Sequence, residues 1–139
     1  MKVSPAKAFI GKLLSGITPT FSMKTGLDAS LLSRDREVVR KYVEDPLVHD
    51  VASARFYTEL LRAQDETILR ADKLTAPCLI MQASADGIVD ASATAIFFKR
   101  VASSDKTLKV YEGFYHEILN EPGKESVLQD IDAWLSARI

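Results

Sequence analysis

A single cysteine in 139 residues leaves no partner for an internal disulfide, so packing and hydrogen bonding must hold the fold, as is usual in a reducing compartment. Histidine is almost as scarce. His49, Cys78 and His116 stand too far apart to make a zinc pattern. Charge of one sign is missing as well: 18 Lys and Arg against 19 Asp and Glu leave a formal net charge of -1, with no basic excess to neutralise a nucleic-acid backbone. No apolar run approaches the roughly 18 residues of a membrane span, and the N-terminus lacks the order of regions that marks a signal peptide. Metal and nucleotide motifs are also missing, so no cofactor is expected. These absences predict a cytoplasmic protein with no nucleic-acid partner. What is present, 47% hydrophobic and 27% charged residues, suits one globular domain.

The first half carries helical signals. Ser4 and Pro5 suit an N-cap and first helical position, and Ala6, Phe9, Ile10, Leu13 and Ile17 follow at helical spacing. Gly16 and Pro19 end that helix, and residues 18–32 mix Pro, Gly, Ser and Thr as an irregular connector does. Ser33 is placed to cap a second helix, with Asp35 and Glu37 in its first turn and Val38, Val39, Tyr42 and Val43 along one face. Asp45-Pro46 ends it. A third helix is predicted from Val51 to about Ala71, where no Gly or Pro intervenes and Phe56, Leu60, Ala63 and Thr67 share a stripe. The first half thus reads as all helical.

Beyond Pro77 the pattern changes. Cys78-Leu79-Ile80-Met81 is a continuous apolar run with the polar cluster Ser84-Ala85-Asp86-Gly87 behind it, which predicts a short strand buried on both faces. Ala91 to Val101 reads as a helix capped by Asp90, and Thr107 to Tyr111 alternates with period two, as an edge strand does. Gly113 closes that strand. Pro122 is placed to start a last helix with Val127, Leu128, Ile131, Trp134 and Leu135 on its apolar stripe. Strand, helix, strand of this length makes a right-handed parallel unit. Its first strand looks central yet has a single partner in this chain, so a neighbouring strand is expected from further N-terminal sequence, from a partner or from a second copy.

Ligands of open parallel sheets bind beyond the C-terminal strand ends. Asp86 follows the first strand and His116 lies shortly after the second. A carboxylate that meets an imidazole there can fix its tautomer and stabilise the imidazolium of general-base catalysis. Taken alone, Asp86 is equally a turn or cap residue, and His116 equally a loop side chain.

The surrounding residues resemble a known family. Pro77-Cys78-Leu79-Ile80-Met81-Gln82-Ala83-Ser84-Ala85-Asp86-Gly87-Ile88-Val89-Asp90, Asp105-Lys106-Thr107-Leu108-Lys109-Val110-Tyr111-Glu112-Gly113, and Tyr115-His116-Glu117-Ile118-Leu119-Asn120-Glu121-Pro122 are similar to the C-terminal half of α/β-hydrolases of the serine aminopeptidase S33 type, the monoacylglycerol lipases and lysophospholipases among them. Asp45-Pro46-Leu47-Val48 adds to the likeness, and Ala83 departs from it where relatives usually carry Gly. The resemblance implies an α/β fold with Asp86 as triad acid and His116 as triad base. It also implies a helical lid over residues 1–72, ahead of a core portion over residues 73–139 made of strand, helix, strand, helix with two parallel strands. Ile88 and Val89 become substrate-pocket candidates. Leu13, Leu14, Ile17 and Phe21 could line an acyl channel or touch a lipid surface peripherally, with ordinary core packing as the alternative. His49 reads as a surface or cap residue.

The nucleophile is missing from this picture. The G-x-S-x-G elbow of the fold does not occur; Gly11 and Gly16 have the wrong spacing, and Ser84 is too near the acid in sequence to serve. The His-Gly segment that provides an oxyanion donor in the family is missing too. The first expectation is therefore the lid and C-terminal half of a serine hydrolase of lipid esters, inactive without its N-terminal half. A non-catalytic lipid-binding module and an assembly element that pairs with a second copy are the alternatives.

Overall fold

The computed structural model describes residue 11 and residues 13–139. The predicted helix start at Ser4 and Pro5, and Ala6, Phe9 and Ile10, lie outside the described residues. Residues 13–17 are helical. Small side chains dock this stretch: Gly11 lies against the Tyr57 ring and the Ser15 hydroxyl bonds Thr58 Oγ1 at 2.9 Å. The opposite side carries Leu13 and Ile17 outward, 55% and 71% exposed.

The first half is not all helical. Strand β1, Ser22–Lys24, pairs antiparallel with β2, Val51–Ser53, in the register Ser22 with Ser53, Met23 with Ala52 and Lys24 with Val51. Three-residue strands are too short to show a period of two, which is why the sequence hides them. The third predicted helix accordingly begins three residues late. It is α2, Ala54–Leu69, and its N-cap Ser53 accepts from the Phe56 amide at 3.1 Å. Before it comes α1, Arg36–Glu44, capped by Asp35 rather than Ser33. The Asp35 carboxylate accepts from the Glu37 amide at 2.9 Å, while the Ser33 hydroxyl is engaged elsewhere.

The second half follows the predicted order. Strand β3, Cys78–Ala83, crosses over through α3, Ala91–Arg100, to β4, Lys106–Tyr111, and the two strands pair in parallel from Cys78 opposite Lys106 to Ala83 opposite Tyr111. Asp90 caps α3 by accepting from the Ser92 amide at 3.0 Å. β3 is only half-buried along Cys78 to Met81 and becomes buried at Gln82 and Ala83. Among the described residues β4 is its sole sheet neighbour, so the apolar run that reads as doubly covered has one edge open.

The last helix, α4, spans Lys124–Ser136. It starts after Gly123 and not at Pro122, because Gly123 sits at φ 93° and turns the chain into it. A Cβ at that glycine would also lie 3.4 Å from the Phe114 ring. Of the α4 stripe, Val127 is wholly buried while Leu128 and Leu135 stay exposed. The core gathers Ala71, Ala83, Val101, Tyr111 and Val127.

Candidate active site

The parallel pairing of β3 and β4 brings two loops together at the C-terminal end of the sheet, and hydrogen bonds stitch them. The Ser84 amide donates to the Tyr111 carbonyl and the Ala85 amide to the Phe114 carbonyl, both at 3.0 Å. The Ser84 hydroxyl accepts from the Gly113 amide at 2.8 Å. Ser84 therefore serves as a structural tie. Gly113 has φ 73°, a left-handed turn that reverses the chain toward His116.

Asp86 and His116 meet. Asp86 Oδ2 lies 2.9 Å from His116 Nδ1, while Oδ1 accepts from the amides of Ile88 at 2.8 Å and Val89 at 2.9 Å. The turn contacts and the contact with the imidazole thus belong to one carboxylate, divided between its two oxygens. Burial pushes the Asp86 carboxyl up, but the hydrogen bond from His116 and the two amide donors outweigh it and hold the group below its ordinary value. An ionised carboxylate only accepts, so Nδ1 carries the proton and Nε2 of neutral His116 has its lone pair free. The acid is nearly buried, with its side chain 5% exposed, against 34% for the histidine. A buried acid holding a partly open imidazole is an arrangement for general-base catalysis.

The other candidates are spread more widely. Ile88 and Val89 follow Asp86 in the chain, and their amides orient its carboxylate, a contribution the pocket assignment does not include. Leu13, Leu14 and Ile17 belong to the helical stretch that docks on α2; Leu14 is half-buried there, and Phe21 follows in the exposed connector. His49 is exposed. Among the described residues no three His, Cys, Asp or Glu side chains gather as a metal site requires.

Sequence reasoning missed the contacts that secure the histidine loop. The His116 amide donates to the Leu31 carbonyl at 3.3 Å and the Glu117 amide to the Leu32 carbonyl at 2.8 Å. Beside them the Ser33 hydroxyl donates to the Asn120 carbonyl at 2.8 Å, and buried Glu121 pairs with Arg34. Glu121 lies within the family-like segment, but nothing in the sequence ties it to a residue 87 positions away.

A parallel strand-helix-strand unit with a carboxylate and an imidazole in contact at its strand ends defines the C-terminal part of an α/β-hydrolase. The family described as serine aminopeptidase, S33 matches residues 1–123, and the chain belongs to it. Its relatives include a monoacylglycerol lipase of Mycolicibacterium smegmatis, 36% identical over 99% of this chain and 49% of that protein. The rat monoglyceride lipase is 37% identical over 98% of this chain and 46% of its own length. The crystal structure of the Paleococcus ferrophilus monoacylglycerol lipase superposes with a TM-score of 0.90 at 32% identity, covering 97% of this chain and 53% of that one. The chain spans about half the length of these relatives.

Proposed function

We propose that this chain supplies the acid and the base of a serine ester hydrolase acting on monoacylglycerol-like or lysophospholipid esters, the nucleophile and oxyanion hole coming from residues outside these 139. The observation that carries the reading is the 2.9 Å contact of His116 Nδ1 with Asp86 Oδ2 at the ends of adjacent parallel strands. In the reaction His116 Nε2 takes the serine proton as the serine oxygen attacks the ester carbonyl, then returns it to the departing alcohol. Water repeats the cycle on the acyl-enzyme. Asp86 stays ionised throughout and stabilises the imidazolium.

Residues 1–72 would form the lid and residues 73–139 the core portion, with Ile88 and Val89 beside the reacting ester. The outward side chains of Leu13, Ile17 and Phe21 favour contact with an acyl chain or a lipid surface over packing in this chain's own core. The open edge of β3 favours completion of the sheet by a further strand from the N-terminal hydrolase half.

The test measures p-nitrophenyl ester hydrolysis and fluorophosphonate labelling by the 139-residue chain, alone and joined to a polypeptide that carries the G-x-S-x-G elbow. The chain alone should show neither. The joined form should show both, with turnover reduced about a thousand-fold or more in His116→Ala. Turnover by the chain alone that vanishes in His116→Ala would overturn the division of the triad, and an inactive joined form would overturn the ester-hydrolase reading.

A further inference from the structure

Glu121 is an unusual residue for the interior. Its side chain is wholly buried, and it has no part in the reaction described above. Its two oxygens are both taken by Arg34: Oε1 accepts from the Arg34 amide at 2.6 Å and Oε2 from the guanidinium Nε. The same guanidinium donates to the Pro122 carbonyl at 3.3 Å and lies 5.1 Å from the centre of the Phe114 ring. The Ser33 hydroxyl adds its bond to Asn120. One short segment, residues 31–34, therefore grips the histidine loop on both sides of His116.

The same segment reaches the acid. The Leu31 side chain packs on Gly87, where an added Cβ would come within 3.0 Å of it, and the Leu31 carbonyl accepts from the His116 amide. Leu31 thus touches the residue after the acid and the backbone of the base. A carboxylate buried at the cost of desolvation needs full pairing, and here that pairing joins two loop segments distant in sequence rather than two residues of one helix.

We propose that Arg34 and Glu121 are positioning residues whose clasp sets the His116 imidazole against Asp86. This rests on the reading of those two residues as base and acid. The clasp touches neither substrate nor reacting atoms; it acts through the backbone of residues 114–122 and through Leu31. Loosening it should free the imidazole from the carboxylate while leaving the sheet intact.

The readout is the far-downfield proton signal of His116 Nδ1 in the 139-residue chain, assigned by its loss in His116→Ala, with hydrogen exchange of the His116 and Glu117 amides alongside. In Glu121→Gln the signal should broaden or disappear, and both amides should exchange about ten-fold or more faster, as expected for loss of a charge-assisted hydrogen bond. Circular dichroism should show unchanged secondary structure. Arg34→Lys, which keeps the charge without the planar fork, should lie between Glu121→Gln and the unaltered protein. A purely structural role predicts a lowered unfolding midpoint with an unchanged His116 signal, and that result would overturn the clasp. If Glu121→Gln does not fold, Arg34→Lys and Ser33→Ala decide by the same signal. A signal unaffected by Asp86→Asn would instead defeat the acid–base pair itself, whereas one that depends on Asp86 but not on Glu121 defeats the clasp alone.

Discussion

The two halves of the chain use charge differently. In the first half most ion pairs are local: Arg40 bonds Glu37 and Glu44 on α1, and Arg62 bonds Glu59 and Glu66 on α2, with Lys24 of β1 and Asp50, 3.2 Å apart just ahead of β2, as an exposed exception. Such helical pairs form on an isolated helix. In the second half they join separate elements. Lys109 of β4 pairs with Asp130 of α4 at 2.9 Å, and the Tyr111 hydroxyl donates to the same carboxylate at 3.0 Å. The Lys106 ammonium bonds the Phe98 and Val101 carbonyls around the end of α3. Local pairs stabilise an element wherever it lies, whereas cross-element pairs fix where elements lie relative to one another. Asp86 and His116, the proposed acid and base, sit in the half that is positioned, and the contacts of residues 31–34 tie the other half to it.

The sharpest way to break this arrangement is at the joint. Arg34→Met leaves the Glu121 carboxylate buried without its guanidinium, and should cost about 3–5 kcal/mol in denaturant unfolding. Glu121→Gln should cost less, about 1–3 kcal/mol, because the half-exposed Arg34 it leaves behind can turn to water. Equal costs, or the reverse order, would show that the pair is not desolvated on the Glu121 side.

A second comparison contrasts valines. Val127 is wholly buried on α4, whereas Val43 is 67% exposed on α1. Val127→Ala should cost roughly 2 kcal/mol through lost burial and the cavity left behind. Val43→Ala should stay within about 0.5 kcal/mol. A large effect at Val43 would mean that α1 is covered in solution.

Legibility divides along the same line. The helix faces and the order strand, helix, strand, helix can be read from the sequence because their causes are local: Asp90 caps α3, and the alternation of residue types marks β4, although its burial does not alternate, Lys109 and Val110 both being exposed. Asp86 and His116 are legible because parallel topology brings the ends of adjacent strands together, and the family likeness names both. β1 and β2 are not, since pairing between Ser22–Lys24 and Val51–Ser53 depends on a chain reversal that no local pattern encodes. Neither is the capping by Asp35. Ser33 suits the cap equally by residue type, and its bond to Asn120, a long-range contact, makes the choice. Arg34 and Glu121 belong with these: no local pattern links them, and the fold alone joins them.

Titration separates two groups of the positioned half. Asp86 sits below its ordinary value of 3.8 when folded, so its contribution is complete above the unfolded value and is lost as pH falls through the folded one. The stability difference between the unaltered protein and Asp86→Asn should therefore shrink on acidification below about pH 4. Tyr111 moves the other way. Burial, followed by the Asp130 carboxylate, pushes its phenol up to about 12. The stability carried by the neutral phenol is complete below its ordinary value of 10.0 and is lost as pH rises toward about 12. Phenolate absorbance of Tyr111, obtained as the difference from Tyr111→Phe, should appear only near that upper limit. Appearance near pH 10.0 would mean that the strand-to-helix contact with Asp130 is open in solution.

The smallest effect belongs to the local pairs. Arg40 and its two glutamates are exposed on α1, and the guanidinium keeps the Glu37 carboxyl below its ordinary range through their hydrogen bond. Arg40→Ala should lower the unfolding midpoint slightly at low ionic strength. In about 1 M salt, where the screening length is about 3 Å, the difference should largely disappear. Lys109→Met is the matching variant in the other half, because its partner Asp130 is half-buried and also accepts from Tyr111. Its cost should persist further into high salt, since Asp130 is more covered than Glu37 or Glu44 and a less exposed partner is screened less. If the two variants lose their effects in parallel as salt rises, the cross-element pairs are no more shielded than the helical ones, and the difference between the halves lies in geometry alone.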